Sequence, residues 1–176
     1  MSIEKIIASI PKLSNEDRRK MRDNAIERSE SADGSQREEA QRVLAALESQ
    51  ERTERAALLE KLQALTPEER VVSAFTVEPM TDTEKQLIRV LLENPGSSSA
   101  MLTEKLGWNA QSWHLHFGTM CANRAAYLWP APPAGVRQGK FYSGILADLK
   151  EPENLFTMKP NVAAAFIKLG VTAQLK

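Results

Sequence analysis

The chain has 176 residues, in which 23 Lys and Arg balance 23 Asp and Glu, and its 42% of hydrophobic residues are enough to build a core. Its apolar runs are shorter than the ~18 residues that a membrane helix needs, and its first residues are too charged for a secretory signal. A single cysteine, Cys121, excludes an internal disulfide and a cysteine-rich zinc site. We therefore expect a cytoplasmic protein.

The two halves of the chain differ in charge and in aromatic content. Residues 1–80 hold 13 basic and 16 acidic residues, a net charge of −3, and residues 81–176 hold 10 and 7, a net charge of +3. Residues 105–147 contain no acid, and nine of the ten aromatic residues lie beyond residue 107. The acid-free stretch fits either a buried segment or a binding face. We predict a helical arm over residues 1–80 and a compact domain over residues 81–176.

Hydrophobic spacing and end signals predict two short helices at the start of the arm. Isoleucines recur on one face over Ser2–Ile10, and Pro11 stops this helix. Ser14 with Asp17 resembles a capping box and opens a second helix that runs to about Ser29.

A long helix is predicted over residues 36–64. Ser35 with Glu38 forms a capping box, and no Gly or Pro follows until Pro67. The apolar positions of this helix form two groups, which are separated by residues 48–55, a polar octet. We expect the octet to lie in water.

The octet itself favours a continuous linker helix. Two acid–base pairs lie four residues apart within it, Glu48 with Arg52 and Glu51 with Arg55. Each such pair supports an exposed helix by a few tenths of a kcal/mol. Two helices with a loop in the octet, or a dimeric coiled coil, are the alternatives.

Four further helices are predicted between residues 66 and 128. Thr66 and Thr81 each begin a capping box and open a helix. Ser98 or Ser99 caps the next helix, and a turn then leads into a helix from Gln111 to about Leu128. The inner stripe of this last helix contains aromatic residues, so we expect it to face the core.

Two strands and a closing helix complete the chain. Lys140–Ala147 and Asn154–Lys159 are predicted to form a hairpin, and Pro160 opens a helix that ends at Gly170. Three helices followed by a two-stranded hairpin is the layout of a winged-helix domain. The predicted fold class is mainly α, with an N-terminal helical arm that contains a long helix and a winged-helix-like domain with a small two-stranded hairpin.

Three strings within residues 81–171 carry a resemblance to a known family, and they are Leu102–Trp108, Leu115–Met120 and Lys159–Gly170. Together they resemble the winged-helix-type module that accompanies some bacterial HNH-type restriction nucleases. That module has a Leu-Gly-aromatic turn, an aromatic-Gly pair in its third helix and a closing Pro-x-Val-x-x-Ala helix. The resemblance implies a winged-helix fold and a role in transcription or defence.

The chain departs from that family's pattern in the third helix, where basic residues are expected. This part of the chain has Thr119, Ala122 and Asn123, and Arg124 is its only charged residue. The sequence also contains no HNH nuclease motif, so the resemblance does not imply a nuclease.

No pattern of residues indicates catalysis or a metal site. His114 and His116 point to different faces of a helix because they are two residues apart. His114 and Cys121 share a face, yet seven residues correspond to ~10 Å of rise, which is too far for an acid–base pair. Pro130–Pro133 is predicted to be a rigid connector into the hairpin. We expect a non-enzymatic protein without a metal or cofactor.

Two functions from different classes fit the sequence. The first is a DNA-binding or regulatory module, in which the third helix enters the major groove and basic groups contact phosphates. The candidate nucleic-acid-binding residues are Gln111, Ser112, His114, His116, Thr119, Asn123, Arg124, Arg137 and Lys140. The second is a protein-interaction adaptor that does not bind DNA and whose helical arm engages a protein partner or a second copy of the chain. The neutral net charge favours the second function, so we expect any binding of duplex DNA to be weak.

Overall fold

The computed structural model of the protein describes residues 2–30, 33–108, 112–134 and 139–172. Within these residues it is mainly helical with a small antiparallel sheet of three strands, which confirms the expected fold class at this level. The helices are α1 Ile3–Ser9, α2 Asn15–Ser29, α3 Gly34–Gln63, α4 Pro67–Val77, α5 Asp82–Glu93, α6 Ser99–Lys105, α7 Trp113–Asn123 and α8 Pro160–Lys168. The strands are β1 Ser97–Ser98, β2 Ala147–Lys150 and β3 Leu155–Met158. Every described helix is too short or too polar to span a bilayer.

The chain forms two compact units, Met1–Glu60 and Lys61–Lys176. The sequence predicted the boundary at residue 80. Helix α4 belongs to the second unit because it packs against α8 there. Phe75 of α4 meets Phe166 of α8 edge to face, with 4.9 Å between ring centroids. The N-terminal helical unit is therefore shorter than the predicted arm.

The first unit packs α1, α2 and α3 around a small apolar core. The buried side chains of this core are Ile10, Ala25, Val43 and Leu47. Ile3 and Ile6 of α1 are half-buried against them. Ser14 caps α2 as predicted, because its hydroxyl accepts a hydrogen bond from the backbone N–H of Asp17 at 3.1 Å.

Helix α3 runs without a break through the polar octet, which confirms the continuous helix. The octet side chains are exposed, apart from one that is half-buried. Their ion pairs differ from those predicted within the helix. Glu51 pairs with Arg22 of α2 and Glu54 pairs with Arg18 of α2, each at 2.7 Å. The octet therefore connects α3 to α2 through charged groups at the surface of the first unit.

The start of α3 also differs from the prediction. The Asp33 carboxylate accepts hydrogen bonds from the backbone N–H groups of Ser35 and Gln36, at 2.9 and 3.4 Å. Asp is as good a helix cap as Ser, and here it lies just before the helix begins at Gly34. The predicted box of Ser35 with Glu38 is therefore replaced by a cap from Asp33.

Replacing Thr53 by Pro should break α3 within the octet, because proline removes a helix hydrogen bond and clashes with the preceding turn. We expect a loss of ~3 kcal/mol from the free energy of unfolding and reduced helicity in circular dichroism. Thr53→Ala is the matched control, since Thr53 is exposed and its hydroxyl donates to the Ser49 carbonyl. Indistinguishable spectra and stabilities for the two variants would contradict a continuous α3.

The second unit is built on aromatic side chains from α7, as predicted. Trp113 and Phe117 are fully buried and stack with 4.5 Å between ring centroids. Phe156 of β3 meets Trp113 edge to face at 5.1 Å. The Trp113 indole N–H donates to the Leu87 carbonyl at 3.0 Å, so its polar atom is satisfied inside the core.

Side-chain caps fix where the helices of the second unit begin. In both predicted capping boxes a threonine hydroxyl accepts the backbone N–H of a glutamate three residues later, and the glutamate side chain accepts the threonine N–H. The two boxes are Thr66 with Glu69 and Thr81 with Glu84. Ser98 caps α6. Helix α7 ends at Asn123 rather than near Leu128, because hydrogen-bonded turns follow it.

The segment that precedes the hairpin is not the predicted strand. Instead of a strand over Lys140–Ala147, residues Tyr142–Ile145 form a 3-10 helix and β2 begins at Ala147. Residues 143–147 are all buried, so the segment lacks the alternation of a half-exposed strand. The second predicted strand contains β3.

The sheet has the strand order β1-β3-β2. Its register pairs Ala147 with Met158 and Leu149 with Phe156, which places these four side chains on the same face of the hairpin. Asp148 points to the opposite face and is exposed. The two-residue strand β1 is too short to produce a pattern in the sequence.

Candidate functional site

Helix α7 has a solvent-exposed face that carries no charged side chain. Between Trp113 and Asn123 the helix contains no Lys, Arg, Asp or Glu. His114, Leu115 and Thr119 are exposed, and Leu115 has 61% of its surface in water. This face offers apolar surface and hydrogen-bonding groups but no positive charge for phosphates.

Arg124, which follows α7, is a structural residue of the core. It is 1% exposed, and its guanidinium donates two hydrogen bonds to the Glu84 carboxylate, at 2.8 and 3.0 Å. Its remaining donors bind the backbone carbonyls of Glu78, Pro79 and Met120. The guanidinium also lies 4.4 Å from the ring centroid of Phe75. The prediction that Arg124 contacts nucleic acid is wrong, because all of its donors are used within the fold.

Glu84 holds its charge in this partly buried site. Burial alone would raise the pKa of Glu84. The hydrogen bonds from Arg124 and from Thr81 outweigh that effect, so the pKa lies below its usual range. Glu84 therefore serves both the cap of α5 and the ion pair with Arg124.

The lowered pKa of Glu84 makes the second unit sensitive to acid. A carboxylate with a depressed pKa contributes stability that is complete above its unfolded pKa of about 4.3 and that is lost as pH falls through the folded pKa. We expect the free energy of unfolding to fall below about pH 4.3, and to fall less steeply in Glu84→Gln. Urea denaturation between about pH 3 and pH 7 measures both slopes. Glu104→Gln, an exposed control, should keep the wild-type slope, and parallel slopes for Glu84→Gln and wild type would contradict this role.

The other predicted residues near the start of α7 lie in different surroundings. Ser112 is half-buried at the N-cap of α7. The Nδ1 atom of His114 lies 2.8 Å from the Ser99 hydroxyl, and His114 is exposed. His116 is half-buried and packs edge to face on Trp108, with 5.1 Å between centroids. The His116 ring thus supports packing, and only His114 of the two histidines is open to a ligand.

The remaining candidates do not form one cluster that the structure describes. Thr119 and Asn123 are exposed on α7, and Lys140 is exposed beyond it. Lys140 forms an isolated β-bridge with Pro133. Gln111 and Arg137 lie outside the described residues.

The one cysteine of the sequence is buried in the core of the second unit. Burial raises the pKa of the Cys121 thiol far above its usual range, which disfavours the nucleophilic thiolate. His114 is exposed at the other end of α7. In the described part of the chain no three His, Cys, Asp or Glu side chains are grouped as ligands of a metal ion.

A groove of about 1070 Å³, here called the hairpin groove, lies on the second unit. It is bordered by the hairpin, by the start of α6 and by the Pro132–Ala134 segment. Its apolar lining includes Phe141, Leu149 and Phe156. Sequence reasoning missed this groove because its sides come from segments that are far apart in the chain.

Backbone hydrogen bonds hold the proline side of the hairpin groove in place. The Phe141 N–H donates to the Pro132 carbonyl at 2.8 Å, and the Ala134 N–H donates to the Gly139 carbonyl at 3.0 Å. Proline also fixes its own backbone φ angle. The segment predicted as a rigid connector therefore forms one wall of the groove.

Carboxylates predominate among the charged side chains of the hairpin groove. Three of them belong to the described lining, Asp148, Glu151 and Glu153. Lys159 is the one lysine of that lining, and its Nζ donates to the Gly144 carbonyl at 2.7 Å. Within the described residues Glu151 has no ion-pair partner at 4.0 Å or less. The described groove is thus apolar inside and negatively charged at its rim.

Comparison with known proteins gives no relative for this arrangement. No family model, no curated protein and no solved structure matches the chain. The resemblance of residues 81–171 to the winged-helix-type module therefore stays a prediction, and the site is interpreted from its own chemistry.

Proposed function

We propose that this chain is a non-enzymatic protein-interaction module on a winged-helix-type scaffold. The observation that carries this proposal is the burial of Arg124, whose five donors bind Glu84 and backbone carbonyls and leave α7 without an exposed charge. The hairpin groove offers a surface on which a protein segment can bind. The expected cytoplasmic location also belongs to this proposal.

The order of elements supports the winged-helix-type scaffold. Helix α5 is followed by β1, then by α6 and α7 as a helix-turn-helix pair, and then by the hairpin of β2 and β3. Strand β3 lies between β1 and β2, so the hairpin is joined to the segment between α5 and α6. In such a scaffold α7 occupies the place of the recognition helix.

Electrostatics argues against DNA as the ligand of this scaffold. A protein gains affinity for DNA when its Lys and Arg side chains neutralise phosphates. Helix α7 supplies none, and the hairpin carries Asp148, Glu151 and Glu153 against Lys150. Carboxylates beside a phosphate backbone are repelled. Lys140 is the exposed basic candidate that remains among the described residues.

A fluorescence anisotropy titration of the full chain with a labelled random duplex tests the proposal. We expect no saturable binding up to about 10 μM protein at 50 mM salt, a range that captures many non-specific DNA-binding proteins. Binding with a log–log salt slope of magnitude about two or more would contradict the proposal, since it requires at least two phosphate contacts.

A gain-of-charge variant provides the positive control for that titration. Thr119→Lys combined with Asn123→Lys adds two cations to the exposed face of α7. On a winged-helix-type scaffold these cations should create measurable duplex binding, with a salt slope of magnitude about two. If this variant also fails to bind, the scaffold assignment of α7 loses its support while the absence of DNA binding by the wild-type chain stands.

A DNA-binding regulatory module is the second candidate function. The specific observation in its favour is the set of exposed polar side chains on α7, His114, Thr119 and Asn123. Such groups read base edges when backbone contacts hold the helix in the major groove. The duplex titration separates the two candidates.

The predicted partner of the helical arm is also a proposal. The exposed part of α3 could engage another protein or a second copy of the chain. Light scattering of the full chain at several concentrations gives its mass, and a mass twice that of the 19.6 kDa chain supports the second copy.

A further inference from the structure

We infer that the hairpin groove binds an extended protein segment in which Lys or Arg alternates with apolar residues. This inference rests on the proposed protein-interaction function and names the chemistry of the partner. Three observations carry it, namely the size of the groove, its apolar lining and the charge of its rim.

The size and lining of the groove fit a peptide segment. Its volume of about 1070 Å³ lies at the upper end of the ~300–1,000 Å³ of ligand pockets, which is enough room for a short peptide segment. Phe141 and Leu149 are half-buried, so part of their apolar surface is open to a ligand. Pro132 and Pro133 form a wall that loses little conformational freedom when a ligand binds.

The rim charge selects basic residues in that segment. The side chains of Asp148 and Glu153 are 69% and 49% exposed, and Glu151 is exposed as well. Two ammonium groups oppose these carboxylates. Lys150 Nζ lies 3.5 Å from Glu153, and Lys159 Nζ, which donates to the Gly144 carbonyl, lies 4.0 Å from an Asp148 oxygen. The described lining therefore has a negative excess, which attracts cations and repels acidic peptides and nucleic acids.

In an extended conformation, one segment can contact both the apolar lining and the charged rim of the groove. Successive side chains of an extended chain point to opposite sides. Apolar residues at every second position can pack on Phe141 and Leu149, while the basic residues between them reach the carboxylates at the rim. The partner is thus defined by an alternation of apolar and basic residues.

Three fluorescein-labelled nonapeptides test this inference by anisotropy with the full chain. The first alternates Lys with Phe or Leu, the second replaces every Lys by Glu, and the third replaces every Phe and Leu by Ser. We expect the first peptide to bind at least tenfold more tightly than either of the others at 50 mM salt. Equal binding of the acidic peptide would overturn the charge selection, and equal binding of the Ser peptide would overturn the role of the apolar lining.

A variant without two of the rim carboxylates tests whether the peptide binds in the groove. Glu151→Gln combined with Glu153→Gln should weaken the first peptide roughly fivefold, because each exposed ion pair contributes about two- to threefold. Glu60→Gln combined with Glu104→Gln removes two exposed acids outside the groove and should bind within twofold of wild type. Equal losses in both double variants would show that net charge alone attracts the peptide and would overturn the inference.

A charge-addition variant tests the same site from its other side. Ala100→Arg places a cation at the groove, on the exposed first turn of α6. It should weaken the first peptide several-fold, whereas Gln86→Arg, at an exposed position of α5 outside the groove, should not. Thermal melts that match wild type confirm that each variant is folded.

The failure of this inference and the failure of the proposed function give different results. If neither the first peptide nor the duplex binds, the inference is wrong and the protein-interaction proposal is not contradicted. If the duplex binds with a salt slope of magnitude about two or more, the proposed function is wrong whatever the peptides do.

Discussion

Replacing Arg124 by Ala should reduce the free energy of unfolding of the second unit by about 3–5 kcal/mol. The change leaves the partly buried Glu84 carboxylate without its charged partner and removes the guanidinium hydrogen bonds to three backbone carbonyls. Native domains have only about 5–15 kcal/mol of stability, so this loss removes a large share of the free energy that keeps the second unit folded. Urea denaturation followed by tryptophan fluorescence measures the loss.

Two controls distinguish this ion pair from a general effect of charge. Arg124→Lys restores the charge but lacks the planar fork that binds both Glu84 oxygens, so it should recover only part of the lost stability. Lys105→Ala, at an exposed position, should change stability by less than about 0.5 kcal/mol. In a double-mutant cycle, Arg124→Ala and Glu84→Gln should be clearly non-additive. A loss below about 1 kcal/mol in Arg124→Ala would mean that its hydrogen bonds are not needed for the fold.

Truncation of Phe117 to Ala should cost about 3–5 kcal/mol, because it removes a fully buried ring from the core and leaves a cavity. The variant also loses the stacking of Phe117 on Trp113. Leu115→Ala is the matched control on the same helix, since Leu115 is 61% exposed, and it should stay within about 0.5 kcal/mol of wild type. Equal unfolding midpoints for the two variants would show that α7 is oriented differently.

Local signals in the sequence were sufficient to predict most helices of this fold. The threonine capping boxes at Thr66 and Thr81 require residues only three positions apart, and both are formed. The stripe that contains Trp113 and Phe117 has helical spacing, so the buried face of α7 could be predicted from its own residues. The polar octet indicated an exposed helix for the same reason.

The prediction that Arg124 contacts nucleic acid was wrong because it rested on the charge of this residue and not on its position relative to the buried stripe of α7. Arg124 lies seven residues after Phe117 and four after Met120, which continues the buried stripe of α7. That spacing was a signal for a buried arginine. Its partner Glu84 is forty residues away, and no local pattern could identify it.

Tertiary contacts also explain the segments that sequence reasoning missed. Residues 143–147, just before β2, are all buried, and Tyr142–Ile145 form a 3-10 helix. The apolar residues of this stretch therefore recur neither every second position, as in a half-exposed strand, nor every 3.6 positions, as in an α-helix. The hairpin groove depends on the approach of Ala100, Pro132 and Leu149, which belong to three separate segments. The acids near the hairpin turn can be read from the sequence, but the sequence does not show that the apolar lining of the hairpin groove lies beside them.

An NMR titration of the full chain, followed at backbone amides, tests most directly which surface of the second unit binds a ligand. The chain is titrated in parallel with the peptide that alternates Lys with Phe or Leu and with duplex DNA at 50 mM salt. We expect the peptide to shift the resonances of Ala100 and Leu149 at the hairpin groove, and the duplex to leave Thr119 and Asn123 on α7 unchanged. Saturable shifts of Thr119 and Asn123 with the duplex, together with unchanged resonances at the groove with the peptide, would contradict a protein-binding role for this scaffold.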